Sequence, residues 1–198
     1  MPVTLSQLRP YYLPIIITVC VTLVAAGGSE LAELFRLDRE TTLHGEVWRI
    51  FSGHFVHLSW SHTGLNIAGL ALIWALVGSA FSDRQWLIII AGAALGIALG
   101  LLAFNPQLDW YVGFSGVLHG MLMAGVISEI HCGRRSSYAL LILLVVKLLW
   151  EQIAGPLPGS EATAGGVVIV DAHLYGGVCG LILGVVLKPK HASRNLGQ

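Results

Sequence analysis

Long apolar stretches separated by shorter polar ones dominate this chain. Six stand out, at 13–28, 62–81, 86–104, 115–131, 138–153 and 168–187. Each approaches the ~20 residues that carry a helix across ~30 Å of hydrocarbon. Several fall slightly short, which predicts tilt or a locally thinned bilayer. No ten-residue alternation of the barrel kind occurs, so helices are the elements that satisfy the backbone in lipid. The pattern predicts an all-α membrane protein, a six-helix bundle in one domain over 1–198.

The polar links add detail. The first, 29–61, is long. Ser29 followed by Glu30 and Glu33 reads as a helix start with acids in its first turn. Leu31, Leu34, Phe35 and Leu37 then give a short amphipathic piece lying on the membrane surface. The fifth link, with Gly155-Pro156-Leu157-Pro158-Gly159, predicts an irregular, mobile loop. Trp48, Trp60, Trp86, Trp110 and Trp150 sit near span ends, where aromatic belts form.

Charge sets the orientation. Arg9, Arg84, Arg134, Arg135, Lys188, Lys190 and Arg194 fall at the N-terminus, the second and fourth loops and the tail. The third and fifth loops, 105–114 and 154–167, carry no Lys or Arg, and the three arginines of the first loop are offset by acids. Positive charge stays inside, so both termini are expected in the cytoplasm of a bacterial inner membrane, with 29–61 periplasmic and 188–198 a short cytoplasmic tail. The first segment ends in Ala25-Ala26-Gly27, as signal peptides do, but Arg9 alone is a thin basic region, so a retained helix is expected.

Composition agrees with lipid as the solvent. The chain is 55% hydrophobic and 11% charged, against about 25% charged in soluble domains. Its net charge of zero gives no electrostatic footing for nucleic acid. Cys20, Cys132 and Cys179 show neither pairing nor ligand spacing, so small core residues and no disulfide are expected.

Against this background two polar residues stand out. Ser115 opens the fourth span, and His173 lies early in the sixth. Polar groups inside a bilayer are costly and mark function by default. Spans two, four and six all run outside to inside, so topology sets His62, Asn66, Ser115 and His173 at one depth below the outer face. His62 and Asn66, four residues apart, share a helix face from which both can donate hydrogen bonds. Ser115 at a helix start sits beside free N–H groups, a natural place for a developing oxyanion. His173 can take the Ser115 proton and return it to a leaving amine. Gly116 and Gly120 on span four, Gly176, Gly180 and Gly184 on span six, and Gly92, Gly96 and Gly100 on span three form small-residue ridges that allow close packing.

These residues, taken in order, resemble the rhomboid intramembrane serine proteases. Trp48-Arg49 is similar to the family's first-loop pair, and the His57, His62, Asn66 series to its second-span motif. Gly113-Phe114-Ser115-Gly116 resembles the nucleophile motif, and Ala172-His173 with Gly176 and Gly180 the base motif. The longer run Gly113-Phe114-Ser115-Gly116-Val117-Leu118-His119-Gly120 resembles the rhombosortases, a subgroup that cleaves proteins ending in a Gly-Gly motif, a transmembrane helix and a basic tail. The resemblance implies a Ser115–His173 dyad without a carboxylate, no cofactor and no metal. It implies oxyanion stabilisation by His62, Asn66 and Gly116, with support from Gly113, Phe114, His119 and Gly176. Substrates would be transmembrane proteins, reached through the lipid and cut near the periplasmic face. Many rhomboids carry Tyr where His119 stands; His119 either stacks on His173 or binds substrate. Asp171, two residues before His173, faces nearly the opposite way and belongs at the outer water boundary.

Plainer readings stand beside these. Ser115 alone would be a helix cap, and His173, His62 and Asn66 glue between helices. His54 reads as a solvated loop residue, and His57 as one that shapes or hydrates the loop. Lys147 and Glu151 read first as a charge pair near the outer end of span five, and second as a pair facing a cavity. Two other functions remain: a metal-binding membrane protein drawing on His54, His57, His62, His119 and His173, which lacks a His-Glu-x-x-His helix, and an inactive rhomboid relative that only binds membrane helices.

Overall fold

The computed structural model describes residues 11–187 and Pro189, and these are mainly helical. Arg9, Lys188, Lys190 and Arg194, which informed the orientation, lie outside the described residues, as does nearly all of the 188–198 tail. Helix α1 runs Tyr12–Ala26 and α2 Gly28–Phe35, and the chain bends by 115° between them. Helix α2 starts at Gly28 and buries none of its residues, while Leu37 beyond it enters the core. The first loop continues through β1 (Leu37–Asp38), α3 (Arg39–Leu43) and α4 (Arg49–Ser52).

Four longer helices follow: α5 (Trp60–Val77), α6 (Asp83–Phe104), α7 (Ser115–His131) and α8 (Ser137–Ala154). Strand β2 (Trp110–Tyr111) precedes α7, and the short α9 (Ser160–Ala164) precedes the last helix, α10 (Val170–Val186). Among the described residues, α5 with its 3-10 extension, α6 and α8 are long and apolar enough to cross a membrane, a fourth span arises if the bent α1–α2 pair counts as one, and α10 is a shorter apolar helix. Their starts follow from local chemistry. The Ser59 hydroxyl accepts from His62 N–H at the head of α5, and Ser82 forms a capping box with Gln85 at the head of α6.

Helix α7 is the centre of the bundle and is buried nearly all round, with Val117, Met121, Ala124 and Val126 in the core. It packs chiefly against α10, then α6, α5 and α8. The α7–α10 seam is built from the small-residue ridges. A Cβ on Gly116 would lie 2.7 Å from Ala172 O, one on Gly120 2.8 Å from Gly176 O, and one on Gly184 2.8 Å from Ala124 Cα. The third ridge receives larger groups of α10: Tyr175 lies over Gly100, Cys179 over Gly96 and Leu183 over Gly92. Helix α8 is peripheral; it buries only Ser137, Leu144, Leu148 and Glu151.

The first loop is stitched to the bundle more firmly than its sequence suggests. Leu37 and Asp38 pair antiparallel with Tyr111 and Trp110. The Arg39 guanidinium donates to the carbonyls of Leu101 and Leu102 in the last turn of α6 and of Asn105 and Leu108 just beyond it, at 2.8–3.0 Å. Buried Arg49 donates to Glu33 O and Arg36 O and pairs with Glu46. The fifth loop is also less irregular than expected: it contains α9, and Ser59 and Ser61 donate to the carbonyls of Ala164 and Thr163.

Two sequence expectations fail here. Trp86 is 0% exposed, donates its indole N–H to Gly78 O and packs on Trp74 and Phe81, so it is core rather than belt; Trp48, Trp60, Trp110 and Trp150 are exposed. His54 is buried and not solvated, because α4 and the 3-10 turn after it press it against α6, where its Nε2–H donates to Ala94 O. All three cysteines are free thiols, with Cys20 and Cys132 exposed and Cys179 half-buried.

Candidate active site

Ser115 is positioned by the backbone that precedes it. Gly113 N–H donates to Gly53 O at 3.2 Å, and Tyr111 Oη donates to Gly113 O at 2.9 Å. Gly113 has φ +123°, where L side chains are strained, and this turn sets Ser115 as the first residue of α7. His173 lies in the first turn of α10. Because Gly116 and Gly176 let the two backbones touch, Ser115 Oγ and His173 Nε2 meet at 2.9 Å, across 58 residues of sequence. The Ser115 hydroxyl therefore does not cap its own helix.

Neighbouring bonds set each ring's protonation pattern. His173 Nδ1 lies 2.9 Å from Glu151 Oε2, so Nδ1 carries the proton and neutral Nε2 accepts from Ser115. His62 Nδ1 accepts from Leu58 N–H at 3.4 Å, which leaves Nε2–H as a donor. A Cβ built on Gly113 would lie 3.5 Å from His62 Nε2 and 3.9 Å from Ser115 Oγ. The missing side chain of Gly113 thus leaves a space bounded by the serine oxygen and by an imidazole N–H. The first backbone N–H groups of α7 have no intrahelical acceptor. Asn66 is buried, but one amide N–H is spent on His62 O at 3.0 Å. His119 stacks on His173 with ring centroids 4.2 Å apart and 19° between planes, and its Nδ1–H donates to Ser115 O at 2.7 Å. Such an arrangement can move a proton from hydroxyl to imidazole while a negative oxygen forms in a donor-lined space.

A profile described as Rhomboid domain matches residues 44–190, from the first loop through α10. The chain belongs to the rhomboid family. Rhomboid-like protease 5 of Toxoplasma gondii is 30% identical to it over 154 residues, which make up 76% of this chain and 18% of that relative. The chain thus spans less than a fifth of that relative's length. The rhomboid family consists of intramembrane serine proteases, and the matched region contains every residue of the constellation around Ser115.

In this rhomboid the expectation that no carboxylate approaches His173 fails. Glu151, on α8, is buried and bridges His173 Nδ1 and Lys147 Nζ, the latter at 2.7 Å. The plain pair of Lys147 and Glu151 is real, but it faces the dyad. Its i, i+4 spacing inside an apolar span was visible in sequence; its direction depends on how α8 docks. Asp171 instead accepts from Asn105 Nδ2 and leaves His173 alone. His57 packs edge-on against His62, with ring centroids 4.9 Å apart. Burial, and then the neighbouring His62, pulls His57 down to about 3, and burial pulls His54 down to about 4, so both loop rings are neutral at ordinary pH.

Among the described residues, His119, Glu151 and His173 offer donor atoms within 4.8 Å of one another, the spacing a metal ion would need. Most of their donors are committed elsewhere: His173 Nε2 to Ser115, His173 Nδ1 to Glu151, and the two carboxylate oxygens to Lys147 and His173, which leaves only the Nε2 lone pair of His119. A divalent cation would also meet the Lys147 ammonium, so the donor set does not fit one.

Proposed function

We propose that this chain is an intramembrane serine endopeptidase in which Ser115 is the nucleophile and His173 its base. The observation that carries the reading is the 2.9 Å bond between Ser115 Oγ and His173 Nε2 at the edge of a space kept open by Gly113. As Ser115 Oγ bonds to the substrate carbonyl carbon, its proton passes to His173 Nε2. The oxyanion forms in the space beside Gly113, toward His62 Nε2–H and the backbone N–H groups of Ser115 and Gly116. Asn66 donates one amide N–H to the His62 backbone carbonyl and keeps a second for the oxyanion. The imidazolium then protonates the leaving amine as the C–N bond breaks, and water or another nucleophile releases the acyl-enzyme. Phe114 and Gly176 support the geometry through the turn and the helix seam.

The bundle is read as six spans with both termini in the cytoplasm of a bacterial inner membrane, which sets the site just below the periplasmic face. Substrates are transmembrane proteins that approach through the lipid, with C-terminal Gly-Gly tails as in the rhombosortases. The run Gly113–Gly120, with His119 stacked on the base, supports this narrower reading. Glycines favour it physically because they unwind a helix near its end. Replacing Ser115 with Ala is expected to abolish cleavage of a Gly-Gly-tailed substrate and labelling by a serine-reactive phosphonate, with the melting temperature retained. Turnover in that variant at the wild-type rate rejects the assignment. Mass spectrometry of the new substrate terminus separates hydrolysis from transfer to an amine.

A further inference from the structure

We infer that Glu151, clamped by Lys147, is a positioning residue that completes a Ser115–His173–Glu151 triad. The inference rests on the protease reading above and extends it by a residue supplied from a different helix, α8. The geometry is a continuous line: Ser115 Oγ to His173 Nε2 at 2.9 Å, His173 Nδ1 to Glu151 Oε2 at 2.9 Å, and Glu151 Oε1 to Lys147 Nζ at 2.7 Å. The Glu151 side chain is 3% exposed. A carboxylate so enclosed is costly unless it is paired and hydrogen-bonded, and here each oxygen has one strong partner.

The consequence for chemistry is specific. By accepting from Nδ1–H, Glu151 leaves the Nε2 lone pair facing the Ser115 hydroxyl. When that hydroxyl gives its proton to Nε2, the carboxylate stabilises the imidazolium without taking a proton itself. Lys147 fixes the carboxylate plane, so the ring is held by an ion pair from one side and by the stacked His119 from another. Glu151 and Lys147 are also the charged pair that α8 turns toward the bundle, while Leu143, Val146, Leu149 and Ile153 of the same helix are exposed. A helix that needed only lipid contact has no reason to bury a carboxylate.

The test uses the full chain in proteoliposomes with a transmembrane peptide that the wild type cleaves. Glu151→Gln keeps the shape and removes the charge. Its kcat is expected to fall about 10²–10⁴-fold with KM within about twofold, since ring orientation and imidazolium stabilisation act on the chemical step. In Glu151→Ala, added formate is expected to restore part of kcat, an effect that a packing role does not produce. A kcat for Glu151→Gln within threefold of wild type overturns the inference. Should the Gln variant lose its folded helical signal, Lys147→Met carries the test: a loss of about tenfold in kcat at constant KM supports the clamp, and no loss overturns it. A wild type that neither cleaves nor takes a phosphonate removes the protease reading and this inference together. A cleaving wild type with an indifferent Glu151 removes only the inference.

Discussion

A methyl group is the smallest change that separates folding from chemistry at this site. In Gly113→Ala, the new Cβ would lie 3.3 Å from His62 Cε1 and would fill the space that the proposed mechanism assigns to the oxyanion. The φ of +123°, which L residues rarely adopt, adds strain of roughly 1–3 kcal/mol. The expected outcome is a kcat lower by about 10²–10³-fold, on the scale of one lost oxyanion donor, with only a modest drop in melting temperature. Parallel turnover and thermal-melt measurements check it. Residue identity was informative in sequence where backbone and side chain act locally. Gly113, Ser115 and His173 were readable in that way. Glu151 was not, because an acid one turn from a lysine reads the same whether it faces lipid headgroups, water or an imidazole.

The elements meet through glycine faces, and those faces differ in tolerance. A Cβ on Gly176 would run into the Gly116 backbone, which cannot yield without parting α7 from α10. A Cβ on Gly177 would meet only Leu148 Cδ1, the end of a flexible side chain on α8. Gly176→Ala is therefore expected to cost about 1–3 kcal/mol or more and to separate Ser115 from His173. Gly177→Ala should leave the melting temperature close to wild type. Thermal melts and phosphonate labelling of the two variants distinguish these outcomes. The ridges were legible as a repeat of small residues on three spans. Which ridge faces which followed only from packing: Gly116 and Gly120 against Gly176 and the residues around it, and Gly92, Gly96 and Gly100 beneath Leu183, Cys179 and Tyr175.

At the scale of the molecule, the first loop is a structural part of the bundle, and it carries a pH dependence. His54 titrates at about 4 and His57 at about 3 in the folded chain, against 6.5 for an exposed histidine, because burial penalises the charged ring. Both take up a proton more readily when unfolded. Their contribution to stability is thus complete above pH 6.5 and declines as pH falls from there toward about 4 and then 3. Thermal melts in detergent should show a lower melting temperature at pH 5 than at pH 7, with the difference reduced in His54→Phe. The apolar and polar pattern by itself determined that the chain is helical and suited to a membrane, where its long helices lie, and that a serine and a histidine stand near the starts of two of them, since hydrophobicity and helix starts are properties of short windows. It did not determine that His54 is dry, that Trp86 is core, that β1 pairs with β2 and Arg39 fastens the first loop to the end of α6, or that a carboxylate from α8 reaches His173. Those facts depend on how helices rotate and dock against one another, and the direction a side chain faces is fixed only when its neighbours from distant sequence are in place.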